Sequence, residues 1–293
     1  MNLRDLDYIL AVASHKSFSV AAASCNVSQP SLSAQIRKVE DELGVKLFER
    51  DNRHVLLTPF GQLFIEKAAR IQTEVSEIRG LARQSLGPFS GQLRLGAIAT
   101  IAPYYFPEVM QKIKARAPNL QLTLQEGQTA QLIESLLAGR LDAAILSLPV
   151  DKGLFEAVAL FDDPFYLAVP ERHPLATLEK ATETHLLQEK LILLDDGHCL
   201  RQQALDLCQR GSLQENKSFR ATSLETIRHI VATGEGLTLM PGLARRDGDG
   251  IIYVPMDKDT YARTIGLVWR KTSNQKEMLQ ALATTLTKVA AQG

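Results

Sequence analysis

Residues 27–50 read VSQPSLSAQIRKVEDELGVKLFER. Leu32, Ile36, Val39 and Leu43 recur at spacings of 4, 3 and 4, which places all four on one stripe of a helix and predicts that this face packs inward. Ser28 is a good N-cap, and Pro30 falls in the first turn, where its missing N–H costs nothing. The other side carries Pro30, Ala34, Arg37 and Lys38, with Gln29, Ser31, Ser33 and Gln35 near the N-terminal end or flanks. Small polar groups at the positive end of a helix dipole suit close approach to DNA base edges and phosphates.

Working outward, the upstream SFSVAAASCN (17–26) is Ala-rich, and small residues let two short helices cross tightly, as in a helix-turn-helix. Downstream, ERDNRHVLLTPFG (49–61) reads as two short strands around a turn, a wing presenting Arg50 and Arg53 to the DNA backbone or minor groove. Charge alone does not reveal a DNA binder. Residues 1–58 hold seven Lys or Arg (4, 16, 37, 38, 46, 50, 53) against seven Asp or Glu (5, 7, 40, 41, 42, 49, 51), so an ordinary small helical subdomain stays open on pattern alone.

The chain has 293 residues, 45% hydrophobic and 23% charged, with zero formal net charge. That suits about two globular domains and gives no bulk preference for nucleic acid or membrane. The apolar run YILAVA near the N-terminus is too short for a signal peptide, and no stretch approaches a membrane span, so a cytoplasmic location without membrane contact is expected. Three cysteines in a reducing compartment make no disulfide framework.

Between about 59 and 87 runs one long helical pattern, ended by GPFSG. Phe64, Ala68, Ile71, Val75, Ile78 and Ala82 follow spacings of 4, 3, 4, 3 and 4, a coiled-coil seam that wants a partner helix, although a single amphipathic helix packed on its own domain could show the same spacing. Pairing two chains there would set two recognition helices about one DNA turn apart. Beyond Gln92, strand-like runs such as LRLGAI, LQLTLQ, LDAAILSL, LTLM and TIGLVW alternate with helical stretches, which predicts an α/β domain with a largely parallel sheet. Thr100 and Thr129 each follow a strand at a turn into a helix. Each could simply cap its helix; as a pair they could hold a small polar ligand.

No hydrolase elbow, Walker loop, Rossmann glycine pattern or zinc-spaced cluster is found, so no catalytic site, cofactor or metal is expected. His15, His54, His173, His185 and His229 lack a partner at ligand spacing. The remaining puzzle is HCLRQQALDLC, 198–208, with two of the three cysteines. If the segment is helical, nine residues rise about 13.5 Å and leave Cys199 and Cys208 on opposite faces, whereas a disulfide needs Cα atoms within about 7 Å. Serving one purpose, the pair would require the segment to unwind, which makes a redox switch. For Cys199 to react first it must be largely thiolate, a form favoured by His198 beside it, a helix N-terminus or hydroxyl donors. Free cysteines are also often inert packing residues, and Cys25 reads as one.

The segment FSVAAASCNVSQPSLSAQIRKVEDELGVKLFER with LTPFG resembles the winged helix-turn-helix of LysR-type transcriptional regulators. The resemblance implies an α/β effector domain, two-lobed and periplasmic-binding-protein-like, with an all-α winged helix-turn-helix N-terminal domain and a long linker helix. The corresponding spans are 1–58 for DNA binding, 59–90 for the linker and hinge, and 91–293 for the regulatory domain. It further implies that Ser28, Gln29, Pro30, Ser31, Ser33, Arg37 and Lys38 face double-stranded promoter DNA, that the protein is no enzyme, that it dimerises through the linker and assembles as a tetramer, and that it works with RNA polymerase.

LILLDDGHCLRQQALDLC, FRATSLETIRHIVATGEGLTLMPGLA and RTIGLVWR are similar to the members of that family that sense hydrogen peroxide. This closer resemblance implies that Cys199 is the peroxide-reactive thiol and that Cys208 closes the disulfide. Thr100, Thr129 and His198 would place the peroxide, with Arg263 nearby, and a thiol reductant such as glutaredoxin or thioredoxin would reset the switch. The competing expectation is a regulator of the same fold whose interlobe cleft takes a small-molecule effector, the cysteines being incidental. The chain stops at Gly293, earlier than some members, so contacts made by a longer tail are expected to be missing.

Overall fold

The computed structural model describes residues 1–50, 55–84, 89, 91–187, 189–207, 214–216, 218–257 and 261–290. Arg53 and Cys208 therefore lie outside the described residues, and of Arg50 only the backbone is described. The chain divides into two compact units, Met1–Leu86 with Leu137–Arg140, and Gly87–Leu136 with Leu141–Gly293.

In the first unit, α1 (Leu3–His15) opens on a capping box: Asn2 Oδ1 accepts from the Asp5 amide at 3.1 Å and Asp5 Oδ2 from the Asn2 amide at 2.7 Å. The buried alanines Ala21 and Ala22 of α2 (Phe18–Ser24) allow close packing on α3 (Gln29–Leu43). Ser28 caps α3, its Oγ accepting from the Ser31 amide at 3.4 Å, and Gly44 ends it in the left-handed region at φ 67°, where a Cβ would be strained. Leu32, Ile36 and Val39 are buried against Ile9, Val12, Ala21 and Phe48, with Leu43 at the margin. Each fully buried aliphatic contributes about 1.5–3 kcal/mol.

The expected wing is present as β1 (Phe48–Arg50) and β2 (Val55–Leu57), antiparallel with Phe48 opposite Leu57. Its root is tied to α3 by the buried Glu40 carboxylate, which accepts from the amides of Leu47 (2.9 Å) and Phe48 (3.3 Å) and from Lys46 Nζ (3.1 Å). Then α4 (Pro59–Gln84) begins, with Thr58 Oγ1 accepting from the Gly61 amide at 2.9 Å. Gly61 is there for space: a Cβ on it would lie 2.1 Å from the Leu47 carbonyl oxygen. Along the seam, Phe64 packs on the first unit's own core and Ala68 is buried, whereas Ile71 and Ile78 are 41% and 66% exposed.

The second unit contains β3 (Gly91–Ile98), α5 (Ala102–Arg116), β4 (Leu120–Gly127), α6 (Thr129–Leu137), β5 (Ala143–Ser147) and the 16-residue β6 (Phe155–Pro170). There follow α7 (Glu183–Leu187), β7 (Lys190–Leu191), α8 (Cys199–Leu207), β8 (Gln214–Glu215), α9 (Leu224–Ala232), β9 (Thr238–Pro241), β10 (Ile251–Pro255), β11 (Ala262–Arg270) and α10 (Lys276–Ala290). The main sheet runs β10-β6-β11-β5-β3-β4, with β9 also on β6.

A largely parallel sheet was the expectation, and the structure corrects it: among the described residues of this sheet, only β3 with β4 and β5 is parallel. The reason lies in two strands that cross between lobes in opposite senses. β6 carries the chain out, pairing first with β11 and then, over Phe165–Pro170, with β9 and β10, and β11 brings it back antiparallel to both β5 and β6. One lobe encloses a core around Leu93, Leu95, Ile145, Leu267 and Trp269, and the other holds two smaller clusters around Ile192, Ile227 and Met240 and around Leu167, Leu191 and Leu239.

Candidate functional site

The three parallel strands end together. Their register sets Ile98 beside Gly127 and Ala97 beside Ile145, so Thr100, Thr129 and Ser147 all belong to the same edge of the sheet, the carboxyl ends where open α/β sheets bind ligands. Thr100 is buried, and its Oγ1 accepts from Arg263 Nη1 at 2.8 Å while its carbonyl accepts from Nη2 at 3.2 Å. The structure thus joins two residues that the sequence separates by 163 positions. Thr129 is not so engaged: its Oγ1 is buried with no hydrogen-bond partner among the described residues.

Cys199 is the first residue of α8, a free and half-buried thiol. Its side chain packs against the core of the first lobe, while the next residue, Leu200, is buried in the core of the second. The approach to the helix is fixed by Gly197 at φ 89°, where a Cβ would come 2.5 Å from Gln128 Oε1. Gln128 Nε2 donates to the Asp196 carbonyl at 3.2 Å, which ties the turn before α6 to the turn before α8. Arg201 anchors the same end through Glu215 (2.8 and 3.2 Å), Asp196 (3.0 Å) and the Leu194 carbonyl (3.3 Å).

Burial holds the His198 imidazole below its ordinary value, and the carboxylate of Asp195 only partly offsets this. The ring is therefore neutral near pH 7, able to donate a hydrogen bond to a neighbour but not to supply a positive charge.

Gln203 is among the residues that the sequence reading missed. Gln203, one turn after Cys199, donates from Nε2 to Ser147 Oγ at 2.7 Å, and its Oε1 is buried without a partner among the described residues. The spacing of four residues from Cys199 was the available signal, since i and i+4 share a helix face. With Thr129 Oγ1, it gives the region two unclaimed acceptors, the condition in which a small hydrogen-bonding molecule is stabilised.

In the first unit, Ser28, Gln29, Pro30, Ser31, Arg37 and Lys38 are exposed and Ser33 is half-buried. Gln35 faces inward, donating to Asp5 Oδ1 at 2.8 Å. The outer face of α3 thus offers two cations and short polar groups while its inner face is closed by core. Among the described residues no helix is long and apolar enough to cross a membrane and no metal-binding cluster is present.

Comparison with known proteins places this architecture. The model described as bacterial regulatory helix-turn-helix protein, lysR family, matches residues 3–62, and that of the LysR substrate binding domain matches residues 86–291. The chain belongs to the LysR family. A relative in this family, the Escherichia coli K12 "DNA-binding transcriptional dual regulator OxyR", is 46% identical over 97% of this chain and 94% of its own. The "Hydrogen peroxide-inducible genes activator" of Pectobacterium carotovorum subsp. carotovorum is 45% identical over 98% and 96%. Among solved LysR-family structures, a full-length OxyR from Pseudomonas aeruginosa superposes with a TM-score of 0.77 at 34% identity, covering 98% of this chain and 94% of that one. Structures of a reduced and an oxidized form of OxyR match with TM-scores of 0.63 and 0.64 at 40% and 41% identity, over 69% and 70% of this chain and 97% and 98% of theirs.

Proposed function

We propose that the chain is a transcription regulator that binds double-stranded promoter DNA and senses hydrogen peroxide through a reversible Cys199–Cys208 disulfide. The observation that carries this reading is the placement of Cys199: a half-buried thiol opening α8, with Gln128 and Gln203 holding the helix start against the strand ends that bear Thr129 and Ser147. Near full-length relatives named for hydrogen peroxide or OxyR support it.

In the first step the Cys199 thiolate attacks one peroxide oxygen. An S–O bond forms as the O–O bond breaks, sulfur gives up two electrons to the peroxide, and the departing hydroxide takes a proton to become water. Thr100, Thr129 and His198 offer hydrogen bonds to the two oxygens, with Arg263 behind Thr100. The sulfenic acid then condenses with the Cys208 thiol, forming the S–S bond and releasing water. Helix α8 opposes this second step. Leu207 lies about 12 Å along the helix from Cys199, one peptide step covers about 3.8 Å, and a disulfide needs Cα atoms within about 7 Å. With α8 intact the bond cannot close, so oxidation unwinds the helix.

On the DNA side, α3 enters the major groove with Ser28, Gln29, Pro30, Ser31, Ser33, Arg37 and Lys38, and the wing brings Arg50 and Arg53 to the backbone. Residues 1–58, 59–90 and 91–293 act as reader, linker and sensor. The exposed Ile71 and Ile78 of the linker pair with a second chain, two dimers form a tetramer, and the assembly acts in the cytoplasm with RNA polymerase. Glutaredoxin or thioredoxin, as thiol reductants, reset it.

Thiol counting by mass spectrometry after stoichiometric peroxide tests the sensor: one intramolecular bridge between Cys199 and Cys208 is expected. Cys199→Ser should abolish the bridge and the transcriptional response while leaving DNA binding intact. Activation of the Cys199→Ser protein by peroxide in a purified transcription assay overturns the reading.

A further inference from the structure

Beside this site lies one fully buried carboxylate with no part in the steps above. Asp163, on β6, stands directly opposite Arg263 in the β6–β11 register. Its Oδ2 accepts from Arg263 Nε at 3.1 Å and Nη2 at 2.9 Å, and the two side chains are 1% and 0% exposed. Its Oδ1 accepts from the Leu243 amide at 3.0 Å. The preceding Gly242 permits that approach, since a Cβ there would lie 3.2 Å from Oδ1. Both carboxylate oxygens are thus committed, and they fix the guanidinium whose Nη1 reaches Thr100 Oγ1 at 2.8 Å.

We infer that Asp163 is a positioning residue for peroxide reduction, acting through Arg263 to make the Thr100 hydroxyl a fixed hydrogen-bond donor toward the bound peroxide. This rests on the reading of the site given above. A hydroxyl has one hydrogen and two lone pairs. The cation takes one lone pair of Thr100, turns the O–H away from itself and polarises it, because charge-assisted bonds strengthen the next bond in a chain. Thr129, whose Oγ1 has no hydrogen-bond partner among the described residues, keeps both capacities. The two hydroxyls therefore differ in role. Thr100 stabilises the oxygen that leaves as hydroxide when the O–O bond breaks, and Thr129 is free to accept from the peroxide. The charge on Asp163 keeps the guanidinium aimed, since a carboxylate gripping Nε and Nη2 leaves Nη1 pointing at Thr100.

The test is made on the reduced full-length protein, by stopped-flow oxidation of Cys199 with hydrogen peroxide and, separately, its alkylation by iodoacetamide, which needs no hydrogen-bonded oxygen. Asp163→Asn is expected to slow peroxide oxidation by about 10- to 100-fold, the usual consequence of losing alignment, and to leave alkylation unchanged. In a Thr100→Val background the same substitution should cause no further loss, because its route to the sulfur has been removed. A purely structural role gives equal losses in both backgrounds, and that result, or a wild-type rate for Asp163→Asn, overturns the inference. Should the Asn variant not fold, Gly242→Ala keeps the ion pair but crowds its carboxylate. It should slow oxidation in the Thr100 protein alone, and equal slowing in both backgrounds or none in either is equally fatal. A parent protein whose Cys199 does not react with peroxide would instead strike the reading of the site, and this inference with it.

Discussion

Helices α3 and α8 carry the two halves of the proposed function, and they are held in opposite ways. Over 15 residues α3 has a serine cap, a glycine stop, three buried aliphatics on one stripe and a buried glutamate bonded to the wing root. The described part of α8 spans nine residues, fewer than the about 12–15 that a helix stable alone in water needs. It depends on Leu200 and Ala204 for burial and on Arg201 for its ionic anchor. The contrast teaches where change is affordable: α3 is capped at both ends, buried along one face and tied to the wing root, whereas α8 leans on a few interactions.

Three measurements would break or sharpen that contrast. The largest effect is expected for Ile36→Ala, which empties a fully buried position on α3 and should cost about 2–5 kcal/mol. Denaturant unfolding should show this loss along with weaker operator binding, and a loss below 1 kcal/mol would mean that α3 is less firmly set than its packing suggests. Next comes Arg201→Gln, which removes the half-buried anchor of α8 and should cost the reduced form about 1 kcal/mol. On the proposed mechanism the oxidised form no longer uses that anchor, so the disulfide potential should move about 20 mV more negative. A redox titration against glutathione that shows no shift, or a positive one, would place the lever elsewhere. The smallest effect concerns pH. The folded protein binds the proton of His198 less readily than the unfolded chain, whose value is 6.5. The stability tied to that neutral ring is therefore complete above pH 6.5 and declines as pH falls through it. Thermal melts of the wild type and His198→Gln should differ in slope below that point and run parallel above it.

Much of this was legible in the chain. The stripe Leu32, Ile36, Val39 with Ser28 specified α3, because periodicity and capping are local signals. The fold class and family followed from the same stretch. The parallel sheet was misjudged because β6, FEAVALFDDPFYLAVP, was not among the strand-like runs: Asp162, Asp163 and Pro164 carry turn chemistry in its middle, and only the pairing with β11 shows that the strand runs through them. For the same reason Asp163 gave no warning of its role, since a buried acid looks like any other acid until its arginine partner, 100 residues away, is in view. Gln203 was missed because glutamine on a short helix is ordinarily a solvated residue.

Gly61 carries a mechanical consequence. With its α-carbon pressed so near the Leu47 carbonyl that no methyl group fits between, the joint where the linker leaves the wing has no play. On the proposed function, a twist delivered to the first turn of α4 would pass straight to the wing root and from there, through Glu40, to α3.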